Sequence, residues 1–336
     1  MRSTSTGHAG VENQFGEPRK DSQGRARAKS MFNMWKKAKG NGSVGNDTER
    51  KRSASELRPT AGFEPVRKGY EIVASVFSDV GCQRELNEDT GKFVDPENPE
   101  LKASKGVLLL VADGVGGHSA GEVASSTAAD VISRVYYEYE GDMNSALVEA
   151  FREANREICK TASADPRLKG MGTTCSALVV NNGAAISANV GDSRLYLIRN
   201  DDIYLMTEDD SVVGAMVKHG LITREDARHH PDKNVIVSAL GGAPEVSVST
   251  WEAPLPVRVG DHFLVCSDGL SDLVNEQEIK QVVVSALPEE ACLDLIAIAK
   301  QRGGHDNITV GILGVFPSQT GMNQAVNVDR DQESSR

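Results

Sequence analysis

Residues 106–126, GVLLLVADGVGGHSAGEVASS, decide how the rest of the chain is read. Five apolar residues, Val107 to Val111, lead through Ala112 into Asp113-Gly114; Gly116, Gly117 and His118 then precede a segment of helical character. The pattern predicts a strand that stops at an acid. Glycines at 114, 116 and 117 let the backbone turn sharply and approach a ligand closely, because no Cβ stands in the way. The design recurs in LVCSDGL, where an apolar run ends in Asp268-Gly269. Two such Asp-Gly steps, far apart in the chain, predict one shared site.

A chain of 336 residues can form one large domain or two smaller ones, each with a substantial core. Hydrophobic residues make up 39%. No run approaches the roughly 18 to 20 apolar residues that a membrane span requires, and no signal-type apolar core opens the sequence. The expectation is a cytoplasmic protein. Its five cysteines, Cys82, Cys159, Cys175, Cys266 and Cys292, are widely spaced and include no C-x-x-C pair, so they are read as reduced core thiols. The net charge of −11 is uneven: residues 1–66 hold 13 Lys and Arg against 7 Asp and Glu, leaving −17 for the remainder. Such an acidic body argues against nucleic acid as a partner.

Along the chain, residues 1–66 are polar, aperiodic and basic, the composition of a disordered tail. Within it, residues 29–39 (KSMFNMWKKAK) place Met31, Phe32, Met34 and Trp35 among lysines. That cluster suits a partner or an anionic membrane surface, and equally an incidental apolar spot. The domain is expected over 67–317, with a flexible tail over 318–336. Strands are predicted from Tyr70 and over 173–180, 184–190, 194–198, 203–206, 246–251, 262–266 and 308–316. Helices are predicted over 121–139, 144–162, 276–285 and 289–301. The polar stretch 207–234 is too long for a simple connection and reads as a flap. Strand hairpins alternating with helix pairs give an α+β sandwich.

Acids beside glycine or at strand ends are Glu88, Asp89, Asp113, Asp192, Asp268 and Asp306. Taken singly, each is a turn former or helix cap. Gathered in one site they require a cation, since like charges a few Å apart would force protonation. Oxygen-only ligation selects Mg²⁺ or Mn²⁺. Two such ions activate water and polarise a phosphoryl group. Arg84, four residues before Glu88, supplies a planar fork for a phosphate. Asp89 is read as orienting Glu88, while His229, His230 and His305 are read as flap or loop residues.

Six motifs occur in the order found in metal-dependent type 2C Ser/Thr protein phosphatases, and the chain resembles the bacterial branch of that family. They are Arg84-x-x-Asn87-Glu88-Asp89, Asp113-Gly114-x-Gly116-Gly117-His118, Gly172-Thr173-Thr174, Gly191-Asp192-Ser193-Arg194, Ser267-Asp268-Gly269-Leu270 and Asp306-Asn307. The resemblance implies a four-layer α/β/β/α sandwich of two central antiparallel sheets flanked by helices. It implies two Mn²⁺ or Mg²⁺ ions, with Asp113 bridging them. Glu88 and the Gly114 carbonyl would complete one ion, Asp268 and Asp306 would hold the other, and Asp192 with Asp268 would host a weaker third. Arg84 would position the phosphate, His118 would protonate the leaving oxygen, and Asp89 and Asn307 would support the ligands from behind. The implied reaction is direct attack of a metal-bridging water on phosphoserine or phosphothreonine in proteins, by a monomer opposing a Ser/Thr kinase. In the flap, Glu208-Asp209-Asp210-Ser211 stands where many bacterial members have Lys-Asp-His-Ser, so flap contacts are not carried over.

Two rival readings follow from the same residues. Gly117-His118-Ser119-Ala120-Gly121 fits G-x-S-x-G, with Asp268 and His305 available for a triad. Against it, the apolar run does not continue into Ser119, and Glu88, Asp192 and Asp306 have no part in a triad. The other rival is an inactive phosphatase-like binding module, which should have lost an acid; none is missing. A thiol phosphatase is excluded, because no cysteine has an arginine six positions on.

Overall fold

A computed structural model describes residues 69–116 and 120–318. The basic segment with its 29–39 cluster, the last 18 positions of the chain, and Gly117, His118 and Ser119 lie outside the described residues.

Strand β3 (Val107–Val115) is the hinge of the architecture. Its side chains alternate: Leu108, Leu110 and Ala112 enter one apolar cluster, and Val107, Leu109 and Val111 another. Both faces are buried, which is why the stretch reads as a continuous apolar run rather than an alternating one. In its sheet, β3 lies between β2 (Asp89–Val94) and β5 (Cys175–Asn181), followed by β6 (Ala184–Val190) and β10 (Leu255–Pro256), all antiparallel. The short β4 (Gly172–Thr173) extends β3, and β9 (Ser249–Thr250) pairs with β6. The second sheet runs β1 (Tyr70–Asp79), β12 (Ile308–Pro317), β11 (His262–Cys266), β7 (Arg194–Arg199) and β8 (Asp202–Leu205), again antiparallel.

Between the sheets lies a core that includes Val107, Leu109, Leu178, Leu197, Phe263 and Leu313. Helices α2 (Ala120–Glu138) and α3 (Met143–Ala164), the second and third after α1 (Pro99–Lys105), cover the outer face of the β3 sheet through Ile132, Tyr136, Leu147 and Phe151. Asp142 caps α3 by accepting from the Asn144 and Ser145 amides, and its apolar residues at 147, 151, 154 and 158 give the buried face. On the other side, α7 (Glu276–Ser285) and α8 (Pro288–Gln301) cover the β1 sheet through Ile279, Val283 and Leu295. The result is the expected four-layer α/β/β/α sandwich. The hairpin at Asn182-Gly183 and that at Asn200-Asp201 both use positive φ, which Asn, Asp and Gly accept most readily.

Several boundaries differ from the sequence reading. Strand β3 does not stop at the acid: Asp89 pairs with Asp113, and Gly172 and Thr173 pair with Val115 and Gly114, so partner strands carry the ladder past the apolar run. Asp268 opens a short helix, α6 (Asp268–Ser271), rather than ending a strand. The expected strand at 246–251 shrinks to β9, and β2 and α1 were not foreseen. The flap excursion contains α4 (Val212–Lys218) and α5 (Arg224–Arg228), and rejoins the body at Leu240 rather than at 234. Among the cysteines, Cys175, Cys266 and Cys292 are buried, but Cys82 is exposed and Cys159 half-buried, so those two are not core thiols; all five are free. Among the described residues no helix is long and apolar enough to cross a membrane.

Candidate metal centre

Asp113 is positioned from three sides. Its carbonyl accepts from Thr174 N (2.9 Å) and from Thr173 Oγ1 (2.9 Å), and its amide donates to Thr174 Oγ1 (3.2 Å). Thr174 Oγ1 also lies 2.7 Å from Ser193 Oγ, one residue beyond Asp192. The Gly172-Thr173-Thr174 and Gly191-Asp192-Ser193 motifs thus brace the backbone that presents Asp113 and Asp192.

Asp89 faces Asp113 across the β2–β3 ladder and accepts a hydrogen bond from Ser267 Oγ at 2.7 Å. Thr309 N donates to the same Ser267 oxygen at 3.0 Å. Since Ser267 precedes Asp268, this chain of contacts fastens the strand of Asp113 to the start of α6. Glu88 is held by its backbone: its amide donates to Asn307 Oδ1 at 2.8 Å, and its carbonyl accepts from Ser125 Oγ and Gly114 N. Asn307 also donates to the Val80 and Leu86 carbonyls, locking the 80–88 loop against the 303–307 loop. The glycines here are steric requirements. A Cβ on Gly114 would strike the Gly121 and Glu88 carbonyls, and one on Gly121 would stand 2.6 Å from Glu88 Oε1.

These acids share one field. Burial raises the Asp113 carboxyl well above the usual range, and Asp89, Asp268, Asp192 and Asp306 all push it further. Burial lifts Asp89 to about 7, with Asp268 and Asp306 adding to it. Asp192 rises to about 8 through burial and then Asp268 and Asp209. Asp268 rises to about 6 through burial, Asp272 and Asp306, with the Lys233 charge acting the other way. Glu88 is raised too, chiefly by burial. Proteins leave such repulsion in place mainly where a cation or a chemical task uses it.

A hard divalent cation fits this donor set. Glu88 Oε1 and Asp89 Oδ1 are buried without a hydrogen-bond partner, and the polar side chains around them are oxygen donors rather than thiols or imidazoles. Among the described residues no three acidic, histidine or cysteine side chains already form a ligand cage. Asp306 Oδ2 accepts from Arg84 Nη2 at 2.8 Å.

The segments that carry the acids are therefore joined: Asp89 pairs with Asp113, Ser267 beside Asp268 bonds Asp89, and Asn307 beside Asp306 bonds Glu88, with Arg84 at the rim, about half exposed. His118 lies outside the described residues. Sequence reasoning gave no role to Ser267, Ser125 or Thr309, although Ser267 stood inside a quoted motif. It also missed the fork of Asp209, whose carboxylate takes Arg194 Nη2 at 2.6 Å and Nε at 3.1 Å. An arginine beginning a strand and an acid in a flap show no periodicity that would pair them.

Comparison with known proteins agrees with this architecture. The sequence profile of the protein phosphatase 2C family matches residues 100–290. The serine/threonine phosphatase stp of Listeria innocua is 38% identical over 240 residues, spanning 69% of this chain and 92% of that protein. PstP of Mycobacterium tuberculosis is 38% identical over 67% of this chain and 44% of its own length. Among solved structures, the catalytic domain of PstP in complex with two manganese ions superposes with a TM-score of 0.64 at 34% identity, covering 74% of this chain and 99% of that one. Stp1 of Staphylococcus aureus gives 0.66 at 33% identity, covering 73% and 96%. A sandwich that gathers six acids from five separate loops and strand ends, together with this degree of likeness, leads to one conclusion: the chain belongs to the protein phosphatase 2C family.

Proposed function

We propose that this protein is a metal-dependent phosphatase that hydrolyses phosphoserine and phosphothreonine in proteins, countering a Ser/Thr kinase, and that it acts as a monomer. The carrying observation is the joining of the acid-bearing segments beside Arg84: Asp89 faces Asp113, Ser267 ties Asp89 to the start of the Asp268 helix, Thr174 links Asp113 to Ser193 beside Asp192, and Asn307 ties Asp306 to Glu88. In this reading two Mn²⁺ or Mg²⁺ ions would be held by Asp113, with Glu88 and the Gly114 carbonyl completing one and Asp268 and Asp306 the other. Asp192 with Asp268 would hold a weaker third ion. When bound, the ions supply a nucleophile at neutral pH and Lewis-acid polarisation of the phosphoryl group.

The chain's own residues do the rest. Arg84 extends a planar fork from the 80–88 loop and grips the phosphate oxygens, its rim position leaving one face open to a protein substrate. Asp89 and Asn307 act on the ligands from behind: Asp89 through Ser267 fixes the start of α6, and Asn307 fixes the Glu88 backbone. His118 is assigned the proton for the departing Ser or Thr oxygen, by its place in the Asp113-Gly114-x-Gly116-Gly117-His118 motif.

The test is Mn²⁺-dependent turnover of an aryl phosphate and of phosphoserine and phosphothreonine peptides, with EDTA as control. Turnover abolished by EDTA supports the reading. Chelator-insensitive turnover, with labelling of Ser119 by a fluorophosphonate, would instead favour a serine hydrolase.

A further inference from the structure

The segment between β8 and β9 is fastened to the body in two different ways. Its roots are tied by backbone. Asp210 N donates to the Gly191 carbonyl at 2.9 Å, Gly191 N donates back to Asp210 Oδ2 at 3.0 Å, and Leu240 exchanges backbone bonds with Thr173. Gly191 adjoins Asp192, and Thr173 bonds the Asp113 carbonyl, so both roots end beside the metal centre. Between the roots, attachment is by charge. Lys233 Nζ pairs with Asp272 Oδ2, and Arg224 Nη1 lies 3.9 Å from Glu276 Oε1. Arg228 adds to the field around Glu278, whose carboxyl Arg302 already holds down at about 2. Three flap cations thus face a ledge of three acids, Asp272, Glu276 and Glu278.

Of these contacts, Lys233–Asp272 is the closest to the chemistry. Asp272 is the cap of α6, and its amide donates to the carbonyl of Asp268 at 2.9 Å. The pair is only 31% and 20% exposed, so water screens it less than it screens the surface pairs. Meanwhile the flap turns Leu221, Val235 and Val237 outward, an apolar display on an element otherwise held by charge. Residues 235–237 run against 210–212, with Val212 N donating to Val235 O and Val237 N to Asp210 O. The exposed valines therefore stand on the flap's root, next to Gly191 and Asp192.

We propose that Lys233 is a positioning residue for protein substrates: by pairing with Asp272 it docks the flap on the helix of Asp268 and holds Val235 and Val237 where they meet the polypeptide around a phosphorylated Ser or Thr. This rests on the phosphatase reading and adds to it a surface that takes apolar residues flanking the phosphosite. Lys233 is engaged by Asp272 and is given no part in holding phosphate or cation, so a small aryl phosphate, which has no flanking chain, should not depend on it.

The experiment uses the full chain with Mn²⁺ and compares Lys233→Ala and Lys233→Arg with wild type. Three readouts are taken: KM and kcat on a phosphothreonine peptide with flanking valine or leucine, the same constants on p-nitrophenyl phosphate, and amide hydrogen exchange over residues 212–237. Loss of one partly exposed ion pair should raise the peptide KM about three- to fivefold. Aryl phosphate turnover should stay within about twofold, exchange over 212–237 should quicken, and arginine should restore both. An unchanged peptide KM, unchanged exchange, or an equal loss on both substrates overturns the proposal. A wild-type protein without turnover on either substrate would overturn the phosphatase reading itself, whereas an active wild type matched by Lys233→Ala overturns only the role of Lys233.

Discussion

Arg84 Nη2 stands 2.8 Å from Asp306 Oδ2, joining the residue suited to grip phosphate to one suited to hold a cation. The two loops that carry them are themselves joined, by Cys82 N donating to the Gly304 carbonyl at 2.6 Å and by Asn307 bonding Val80 and Leu86. The groups proposed to bind substrate and metal are therefore one mechanical unit. Arg84→Ala should raise KM for phosphopeptides about tenfold, the scale of a lost charged hydrogen bond, with a smaller effect on kcat. Combined with Asp306→Ala, the losses in kcat/KM should fall short of additivity by about 1 kcal/mol. Steady-state kinetics on the two single variants and the double variant check this.

Asp113→Asn and Asp268→Asn should each reduce turnover by about a thousandfold or more, since ion-dependent catalysis loses a ligand. Both variants should keep the wild-type circular dichroism spectrum. Because each removes a charge from a repelling set, the metal-free variants should melt no lower than the metal-free wild type at pH 8. A lower melting temperature would show that these acids serve the fold rather than the site.

Raised carboxyl values fix the direction of the pH response. Asp268, Asp89 and Asp192 sit at about 6, 7 and 8, against about 4 for an unfolded aspartate. The folded, metal-free protein prefers them protonated, so its stability is greatest below about pH 4 as far as these groups are concerned. That contribution is lost as pH rises through 8. Protons and cations compete for the same oxygens, so apparent Mn²⁺ affinity should rise between pH 6 and 8. Calorimetric titration at several pH values, with melting curves with and without Mn²⁺, measures both slopes.

The glycines at the centre separate fold from ligation. Gly121→Ala places a methyl 2.6 Å from Glu88 Oε1 and 2.9 Å from the Gly114 carbonyl carbon, which should displace that carboxylate and weaken Mn²⁺ binding, with a smaller loss of stability than Gly114→Ala. Gly114→Ala meets backbone on two sides, the Gly121 and Glu88 carbonyls, and should destabilise the domain by about 2 kcal/mol or more. Chemical denaturation and Mn²⁺ titration of the two variants distinguish the effects.

Much of this molecule was legible in its residues, for reasons that can be named. Leu147, Phe151, Ala154 and Ile158 recur at helical spacing, and α3 follows from them. Asn182-Gly183 accepts positive φ, and the β5–β6 hairpin forms there. The acids were legible because charge beside glycine at the end of an apolar run is costly without a purpose. What stayed hidden depends on partners distant in sequence. Strand β2 begins at Asp89 because it pairs with β3, although its own DTGKFV has little strand character. Ser267 and Asn307 acquire their roles through hydrogen bonds to residues 178 and 219 positions away. The flap's ion pairs join chain segments that no local pattern connects.

Crystals grown in Mn²⁺ and measured at the manganese absorption edge test the central claim most directly. Two anomalous peaks are expected a few Å apart, both within ligand distance of Asp113, with Glu88 on one and Asp268 and Asp306 on the other. Density lacking any peak between Asp113 and Asp268, in crystals whose protein hydrolyses phosphopeptides, would contradict it.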